Sequence, residues 1–274
     1  MRCPSCQVDI LSNTPSATVG HRLCRRTLNI AALLMALSGV FGLMTARGQV
    51  PPAAPGAVTA IDVLIDPDAT MVGHAEAANA RLLAAYPINA PIDGIPNFSL
   101  DATHRPHITI IQRYVRTADL EKLYAALGKV VVKSNVMSSG FEAIKYYYIP
   151  YKSVGVAGIV VKPTAGLVRL QQEVEDAAAP FTVATGSSEA FATSPDDPDI
   201  NKPTRDYVER FVTSQMGAKY NPHVTTGVGT RVFLDKLLAE KFDGFTFSAS
   251  GISVYQLGNN GTARRLLKTW RVAQ

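Results

Sequence analysis

Cysteine is scarce in this sequence and absent from most of it. The chain has 274 residues and three cysteines, at Cys3, Cys6 and Cys24. A domain built from the residues beyond them has neither disulfide bonds nor thiol chemistry. Cys3 and Cys6 could be half of a zinc or redox site, but no second cysteine pair or nearby histidine pattern completes one. We therefore interpret the cysteines as part of a non-structural leader.

A strong excess of positive charge is also lacking once the start of the chain is set aside. The whole chain has 27 basic and 22 acidic residues, and its first 48 residues contain five arginines against one aspartate. The remainder is close to neutral, which excludes an extended nucleic-acid track but leaves room for a small phosphate pocket. Hydrophobic residues at 47% and charged residues at 18% are typical of an ordinary globular core.

The uncharged run at residues 28–44 indicates a signal for export. It follows a basic segment ending at Arg26 and precedes the small residues Ala46 and Gly48, an order typical of a signal peptide cleaved before Gln49. An uncleaved anchor remains open, although the run is shorter than the roughly 20 residues that span a bilayer. We predict an exported protein, periplasmic or secreted, which would be tethered to the membrane only if the leader stays uncleaved.

The chain divides into three parts by composition and apolar periodicity. We predict a leader at residues 1–48, a tether rich in proline and alanine at 49–58, and a folded domain at 59–274. Predicted strands lie at 60–65, within 98–115, at 144–151, 154–161, around His223, at 245–257 and 264–272. Predicted helices lie at 72–86, 117–127 with Thr117 as N-cap, 166–179, 205–216 and 231–241.

The order of these elements predicts the fold class. The strands do not recur in regular βαβ units, so we predict an α+β fold with antiparallel strands. Asn260 and Gly261 predict a hairpin between the last two strands. Residues 186–204 are polar and rich in proline, which predicts a long loop, either a lid or a surface turn. We interpret the bare Gly-x-Gly at 227–229 as a turn.

Two short segments share the pattern Pro-His-aliphatic-Thr, at residues 106–109 and 222–225. Residues i and i+2 of a strand point to the same face, so His107 projects together with Thr109, and His223 together with Thr225. A single His-x-Thr pattern on a strand often occurs by chance. Its repetition with the same proline, aliphatic residue and threonine favours a functional role.

Two imidazoles and two hydroxyls suit attack on a phosphodiester. One histidine can take a proton from water and the other can donate one to the leaving oxygen, each step contributing about 10²–10⁴-fold in rate. The threonine hydroxyls can donate hydrogen bonds to the non-bridging oxygens as negative charge develops there. No metal or cofactor is required. His104 and His107 have H-x-x-H spacing, but in a strand they would lie on opposite faces, so we expect no metal site.

The two motifs, 116 positions apart in a two-half layout, resemble those of the 2H phosphoesterase superfamily. That family includes cyclic nucleotide phosphodiesterases and enzymes called 2'-5' RNA ligases. The resemblance extends from about Ala60 to Val272. It implies two pseudo-symmetric lobes, each an antiparallel sheet with outer helices, and an active-site groove between them. His107 and Thr109 would belong to the first lobe, and His223 and Thr225 to the second, with the roles of base and acid left open.

We therefore predict a monomeric, metal-independent phosphodiesterase that needs no cofactor. Its substrate would be a nucleotide or short oligonucleotide, either a 2',3'-cyclic nucleotide or a 2'-5' linked or RNA-end phosphodiester. Arg113, six residues past His107 and so on its face, and Tyr220, just before the second motif, are the candidate substrate-binding residues. The alternatives are an envelope protein that binds a nucleotide or phosphate ligand without turnover, or one whose partner is another protein.

Overall fold

The computed structural model describes residues 56–195 and 197–271. The predicted leader, its cleavage site and residues 49–55 of the predicted tether lie outside these residues. The folded domain begins with a strand at Val58, one residue before the predicted boundary. Within the described ranges, the structure contains no helix whose length and apolar character would let it cross a bilayer.

Eight strands and five helices make up the described part of the chain. The strands are β1 Val58–Pro67, β2 Ile108–Arg116, β3 Gly140–Tyr151, β4 Val154–Val161, β5 Thr182–Val183, β6 His223–Thr230, β7 Phe245–Leu257 and β8 Ala263–Arg271. The helices are α1 Ala69–Ala85, α2 Leu120–Lys133, α3 Ala165–Ala178, α4 Lys202–Gln215 and α5 Arg231–Ala239. Every strand pairing among them is antiparallel, so the predicted α+β class is confirmed.

The strands form two groups that are joined edge to edge in one sheet. The hydrogen-bonded order is β1-β2-β6-β4-β3-β7-β8, and β7 also pairs with β1. One group contains β1, β2, β7 and β8 with the short β5, and the other contains β3, β4 and β6. The groups meet where Ile108 of β2 pairs with Val224 of β6, and again where β3 pairs with the start of β7. The predicted lobes correspond to these two groups.

Alternation along β1 separates the two faces of the sheet. Ile61, Val63 and Ile65 are fully buried and belong to the main core, which the helices cover. Asp62 and Leu64 point to the opposite side, which we call the groove face. The β1 residues on both faces are buried, because other chain segments pack on part of the groove face as well.

Two segments close the ends of the groove face. At one end Ala190, Phe191, Ile200 and Val208 pack on Ala60, Tyr114 and Leu257. At the other end Tyr86, Ile92, Ile95 and Phe98 pack on Val154 and Val228. The predicted loop at 186–204 thus supplies a buried wall, held by hydrogen bonds of 2.8 Å from the Gln256 side chain to the Ala190 carbonyl and from the Ala192 N–H to the Leu257 carbonyl.

Two local predictions differ from the structure. Thr117 opens a single 3₁₀ turn rather than capping a helix, and its hydroxyl lies 2.8 Å from that of Thr59. Helix α2 begins three residues later, at Leu120. The Gly-x-Gly at 227–229 is not a turn but part of β6, where Gly227 has a φ of 145°. The hairpin between β7 and β8 forms as predicted, with Asn260 in the left-handed conformation at φ 57°.

Candidate functional site

The two Pro-His-aliphatic-Thr motifs lie side by side where the two strand groups meet. Ile108 and Val224, the aliphatic residue of each motif, are antiparallel partners, and both are fully buried in the core. Continuing this register places each histidine opposite the threonine of the other motif, on the groove face. The structure therefore brings the four predicted residues, His107, Thr109, His223 and Thr225, into one two-fold arrangement.

Both imidazoles are anchored in the same way. The Nδ1 atom of each ring lies 2.7 Å from the carbonyl oxygen two residues earlier, that of Arg105 for His107 and that of Asn221 for His223. A carbonyl oxygen only accepts, so Nδ1 carries a proton in each ring and Nε2 is the unprotonated nitrogen when the ring is neutral. Each Nε2 is therefore the atom that can take up or release a proton.

A β-bulge follows the threonine of each motif. Ile110 in β2 and Thr226 in β6 are extra residues, seen as register shifts against β1 and β4. The carbonyl of Ile110 accepts a hydrogen bond of 3.0 Å from the Gln171 side chain of α3, and that of Thr226 accepts one of 2.8 Å from the Asn79 side chain of α1. Buried amides on two helices thus satisfy the carbonyls that the bulges expose.

The same two amides also hold the segments that lead into the motifs. Asn79 bonds backbone atoms of Phe98 and Leu100, ahead of the first motif, and Gln171 bonds those of Gln215 and Gly217, ahead of the second. Each amide thus connects one motif's bulge to the other motif's approach. Sequence reasoning missed both residues, although a buried polar side chain on an apolar helix face was the available signal.

A buried carboxylate lies beside the first motif. Asp62 of β1 is fully buried, and its Oδ2 atom accepts hydrogen bonds from the Thr109 hydroxyl at 2.9 Å and the Gln112 side chain at 3.1 Å. The same oxygen lies 3.6 Å from Nε2 of His107. Its Oδ1 atom has no hydrogen-bond partner among the described residues. Sequence reasoning placed Asp62 in a strand and gave it no role.

The second motif has no such carboxylate at the matching position. In β1, Leu64 pairs with the threonine of the first motif, and in β4, Gly158 pairs with that of the second. Two residues earlier on the same face stand Asp62 in β1 and Val156 in β4. The motifs therefore share their geometry but differ in charge.

The second motif contacts an aromatic ring instead. The rings of His223 and Tyr147 meet edge to face with their centroids 4.8 Å apart. A Cβ atom on Gly158 would lie 2.6 Å from the Tyr147 ring, so the absent side chain makes room for this contact. The tyrosine run at residues 146–148 was the signal in the sequence that could have identified Tyr147.

The unequal surroundings shift the two imidazole pKa values in opposite directions. For His107, burial lowers the pKa, but the Asp62 carboxylate, assisted by the Arg105 carbonyl and the charge of Asp66, raises it by more, so the net pKa is above its ordinary value. For His223, burial lowers the pKa, the Asn221 carbonyl opposes this, and the charge of His107 lowers it further, leaving it below its ordinary value. The protonated form is thus favoured at His107 relative to an ordinary imidazole, and the neutral form is favoured at His223.

The spacing of Arg113 predicted that it would share the face of His107, but in the structure it does not. The bulge at Ile110 reverses the alternation of β2, so Arg113 pairs with Ile61 on the core face. Its guanidinium forms an ion pair with Glu175 of α3 and donates to the Thr182 hydroxyl at 2.9 Å. The structure therefore places it away from both motifs, in a structural contact.

Tyr220 lies close to the motifs, but its side chain is directed into the core. It is 8% exposed, and its hydroxyl donates a hydrogen bond of 3.0 Å to the Thr109 carbonyl. Burial raises the pKa of this phenol, which keeps the donor protonated. Tyr220 thus links the segment before the second motif to the first motif.

Comparisons with known proteins return solved structures only. No protein-family model and no curated protein sequence matches the chain. TT0787 of Thermus thermophilus is 12% identical with a TM-score of 0.44, and the alignment covers 78% of this chain and 97% of that one. E. coli LigT complexed with 3'-AMP is 15% identical with a TM-score of 0.34, over 78% of this chain and 98% of that one.

A third similar structure is Kluyveromyces marxianus Usb1 with uridine monophosphate. It is 10% identical to this chain with a TM-score of 0.38, and the alignment covers 77% of this chain and 98% of that one. Because these identities and TM-scores are low, the function is inferred from the site's own geometry.

Proposed function

We propose that this chain is a metal-independent phosphodiesterase of the 2H type, in which His107 and His223 are the acid–base pair. The observation that carries the proposal is the two-fold pairing about Ile108 and Val224, with each Nδ1 anchored on a carbonyl and each Nε2 left for proton transfer. Two titratable groups whose surroundings drive their pKa values apart are what acid–base hydrolysis requires. A protein that only binds a phosphate ligand needs neither.

The proton balance of the proposed reaction follows from the two pKa shifts. For a 2',3'-cyclic nucleotide, neutral Nε2 of His223 takes a proton from water as the water oxygen forms a bond to phosphorus. The bond between phosphorus and one ribose oxygen breaks, and Nε2 of His107 gives its proton to that oxygen. The product is a nucleoside monophosphate, and proton exchange with solvent restores the starting state of both rings.

The two threonines contribute differently to this reaction. The Thr225 hydroxyl has no hydrogen-bond partner among the described residues, so it is free to donate to a non-bridging phosphate oxygen. The Thr109 hydroxyl already donates to the Asp62 carboxylate, which can only accept. We therefore assign transition-state stabilisation to Thr225, and assign Thr109 a role in holding Asp62.

The walls of the groove support a small substrate. Buried side chains close the groove face at both ends, and the chain beyond residue 48 is close to neutral. A nucleotide or short oligonucleotide suits such a groove better than a long strand does. A 2',3'-cyclic nucleotide is the proposed first substrate, and a 2'-5' linked dinucleotide is the second.

The test is hydrolysis by the full chain of a panel of 2',3'-cyclic nucleotides and of 2'-5' and 3'-5' linked dinucleotides, with EDTA present. We expect turnover that survives EDTA and falls by about 10²–10⁴-fold in His107→Ala and in His223→Ala. The matched control is His74→Ala, because His74 is exposed on α1 and belongs to neither motif. Turnover that EDTA abolishes, or that both motif variants retain, would contradict the proposal, and so would binding of these ligands without any turnover.

A further inference from the structure

We propose that Asp62 is a positioning residue which fixes His107 as the proton donor and thereby leaves His223 as the base. The inference rests on the proposed phosphodiesterase function and deepens it. The two motifs share their backbone geometry, their carbonyl anchors and their bulges, so these features alone would let the two imidazoles exchange roles. Asp62 is a charged group that breaks this equivalence.

The position of Asp62 in the sheet makes its charge act on one motif. It lies within β1, paired with Gln112 of β2 on one side and Tyr255 of β7 on the other, and it is fully buried. A buried carboxylate is stable only when donors or an opposite charge compensate it. Two donors satisfy Oδ2, while Oδ1 has no partner in the described part of the chain. The imidazolium of His107, whose Nε2 atom lies 3.6 Å from the same Oδ2 atom, supplies an opposite charge for the carboxylate as a whole.

The distance between the two groups suits a donor that must later release its proton. Nε2 of His107 lies 3.6 Å from the carboxylate, beyond the usual 2.7–3.2 Å length of an N–H···O hydrogen bond. The carboxylate therefore attracts the proton without binding it in a short hydrogen bond. The proton remains available to an oxygen of a substrate in the groove.

The other titratable groups around His107 reinforce this assignment or are neutral. Asp66, also on β1, adds negative charge, and His223 on β6 is the basic ring that faces His107, with its own protonation disfavoured by burial. Two phenols also lie within range of the Asp62 charge, and burial raises the pKa of both, so they stay uncharged. They are Tyr207 of α4 and Tyr220.

The second motif offers no compensation of this kind from the residues that the structure describes. Val156 occupies the position that corresponds to Asp62, and the Tyr147 ring packs against His223. Burial without a carboxylate favours the neutral imidazole. Asp62 thus determines the role of both rings, that of His107 directly and that of His223 through the charge on His107.

The main test is Asp62→Asn, which keeps the side-chain size and removes the charge. The pH titrations of the two imidazoles are followed by NMR in the full-length protein, and kcat/KM is measured against pH on the substrate identified above. Losing an opposite charge at this distance lowers a histidine pKa by about 1–3 units. We expect the pKa of His107 to fall by that amount and the high-pH limb of kcat/KM to move to lower pH with it. If Asp62 had only a structural role, the folded variant would show neither change.

A second variant tests the same idea in the opposite direction. Gln112→Met removes one donor from Asp62 and keeps its charge, so the carboxylate should attract the His107 proton more strongly. We expect His107 to titrate at higher pH and the high-pH limb to rise. Because this variant leaves Asp62 in place, it remains informative if Asp62→Asn does not fold.

The outcomes separate this inference from the function on which it rests. If His107 titrates at the same pH in wild type and in each folded variant, the role of Asp62 is refuted, whatever the activity. If wild-type protein turns over no member of the panel, the proposed phosphodiesterase function fails, although the NMR titrations still report on Asp62. Opposite shifts in the two variants, matched in kcat/KM, would support the inference.

Discussion

Replacing each threonine by valine should separate the two motifs experimentally. Valine has the shape of threonine and suits a strand, so each change removes little more than a hydroxyl. The Thr225 hydroxyl has no partner in the described part of the chain, whereas that of Thr109 donates to buried Asp62 at 2.9 Å. We expect Thr225→Val to reduce the rate and Thr109→Val to reduce the stability.

The magnitudes follow from the kind of hydrogen bond lost. A hydrogen bond to a charged group is worth about 1.5–3 kcal/mol. Lost from the transition state in Thr225→Val, this amounts to about 10- to 150-fold in kcat/KM, with the free energy of unfolding changed by under about 0.5 kcal/mol. Lost from the folded state in Thr109→Val, it lowers the free energy of unfolding by about 1.5–3 kcal/mol, which is a fall in Tm of roughly 3–12 °C for a domain of this size.

The assay pairs kcat/KM on the cyclic substrate, measured at the pH optimum of each variant, with thermal unfolding. The pH optimum matters because Thr109→Val also removes a donor from Asp62 and should move the high-pH limb. Equal rate losses in the two variants with unchanged Tm would refute the reasoning. That result would mean that both hydroxyls reach the phosphate and that the bond between Thr109 and Asp62 does not stabilise the folded protein.

Three further expectations concern the site and its support. The plot of kcat/KM against pH should be bell-shaped. Activity falls at pH values below the pKa of His223, which is lowered from the ordinary value of about 6.5, and again at pH values above the pKa of His107, which is raised from that value. NMR titrations that assign the two limbs in the reverse order would contradict this. Gln171→Ala leaves a buried bulge carbonyl unsatisfied and should lower the free energy of unfolding by about 1–3 kcal/mol in urea titrations, whereas exposed Gln172→Ala should have little effect. Arg113→Met should lower the free energy of unfolding by about 1–3 kcal/mol, because it leaves the Glu175 carboxyl without its partner, and should have little effect on kcat/KM of the folded protein. A large rate loss at unchanged KM would instead indicate that Arg113 acts in the reaction.

Local patterns in the sequence predicted the elements whose signals are local. Strand β7 has the predicted bounds, Phe245–Leu257, because apolar alternation ends there at an Asn-Gly turn. Helix α3 lies within one residue of its prediction, with Thr164 as an N-cap whose side chain accepts from the Leu167 N–H. The paired motifs were also predictable, since each rests on four consecutive residues.

The features that pairing creates could not be read from the sequence. No glycine or proline marks the bulge at Ile110, which exists only in the register of β2 against β1. That single extra residue moved Arg113 to the other face, so the spacing argument for its role in binding does not hold. The N-cap predicted at Thr117 failed for a similar reason, because its hydroxyl, which would have capped the helix, lies 2.8 Å from the hydroxyl of Thr59 on the distant strand β1.

Asp62 is an intermediate case. An aspartate within the apolar run at residues 60–65 is unusual, because a charged residue is rarely fully buried without a partner. The sequence therefore contained a signal that something compensates this charge. The identity of the partners depends on the pairing of β1 with β2, across some 50 residues, which no local pattern encodes.

The size of the possible protonation effect limits what Asp62 can contribute through charge alone. Suppose that both imidazoles had the same pKa. At the optimal pH, about one quarter of the molecules would then have the proton donor protonated and the base neutral for a given substrate orientation. A wide separation of the two pKa values brings this fraction towards one. The gain is therefore at most roughly fourfold, smaller than the 10- to 150-fold expected from one hydrogen bond to the transition state. It follows that Asp62→Asn, assayed at its own pH optimum, should lose no more than about fourfold if charge is the whole effect and the pKa of His107 does not fall below that of His223. A larger loss, with NMR showing that this order is kept, would mean that Asp62 acts mainly by holding Thr109 and the His107 ring in place.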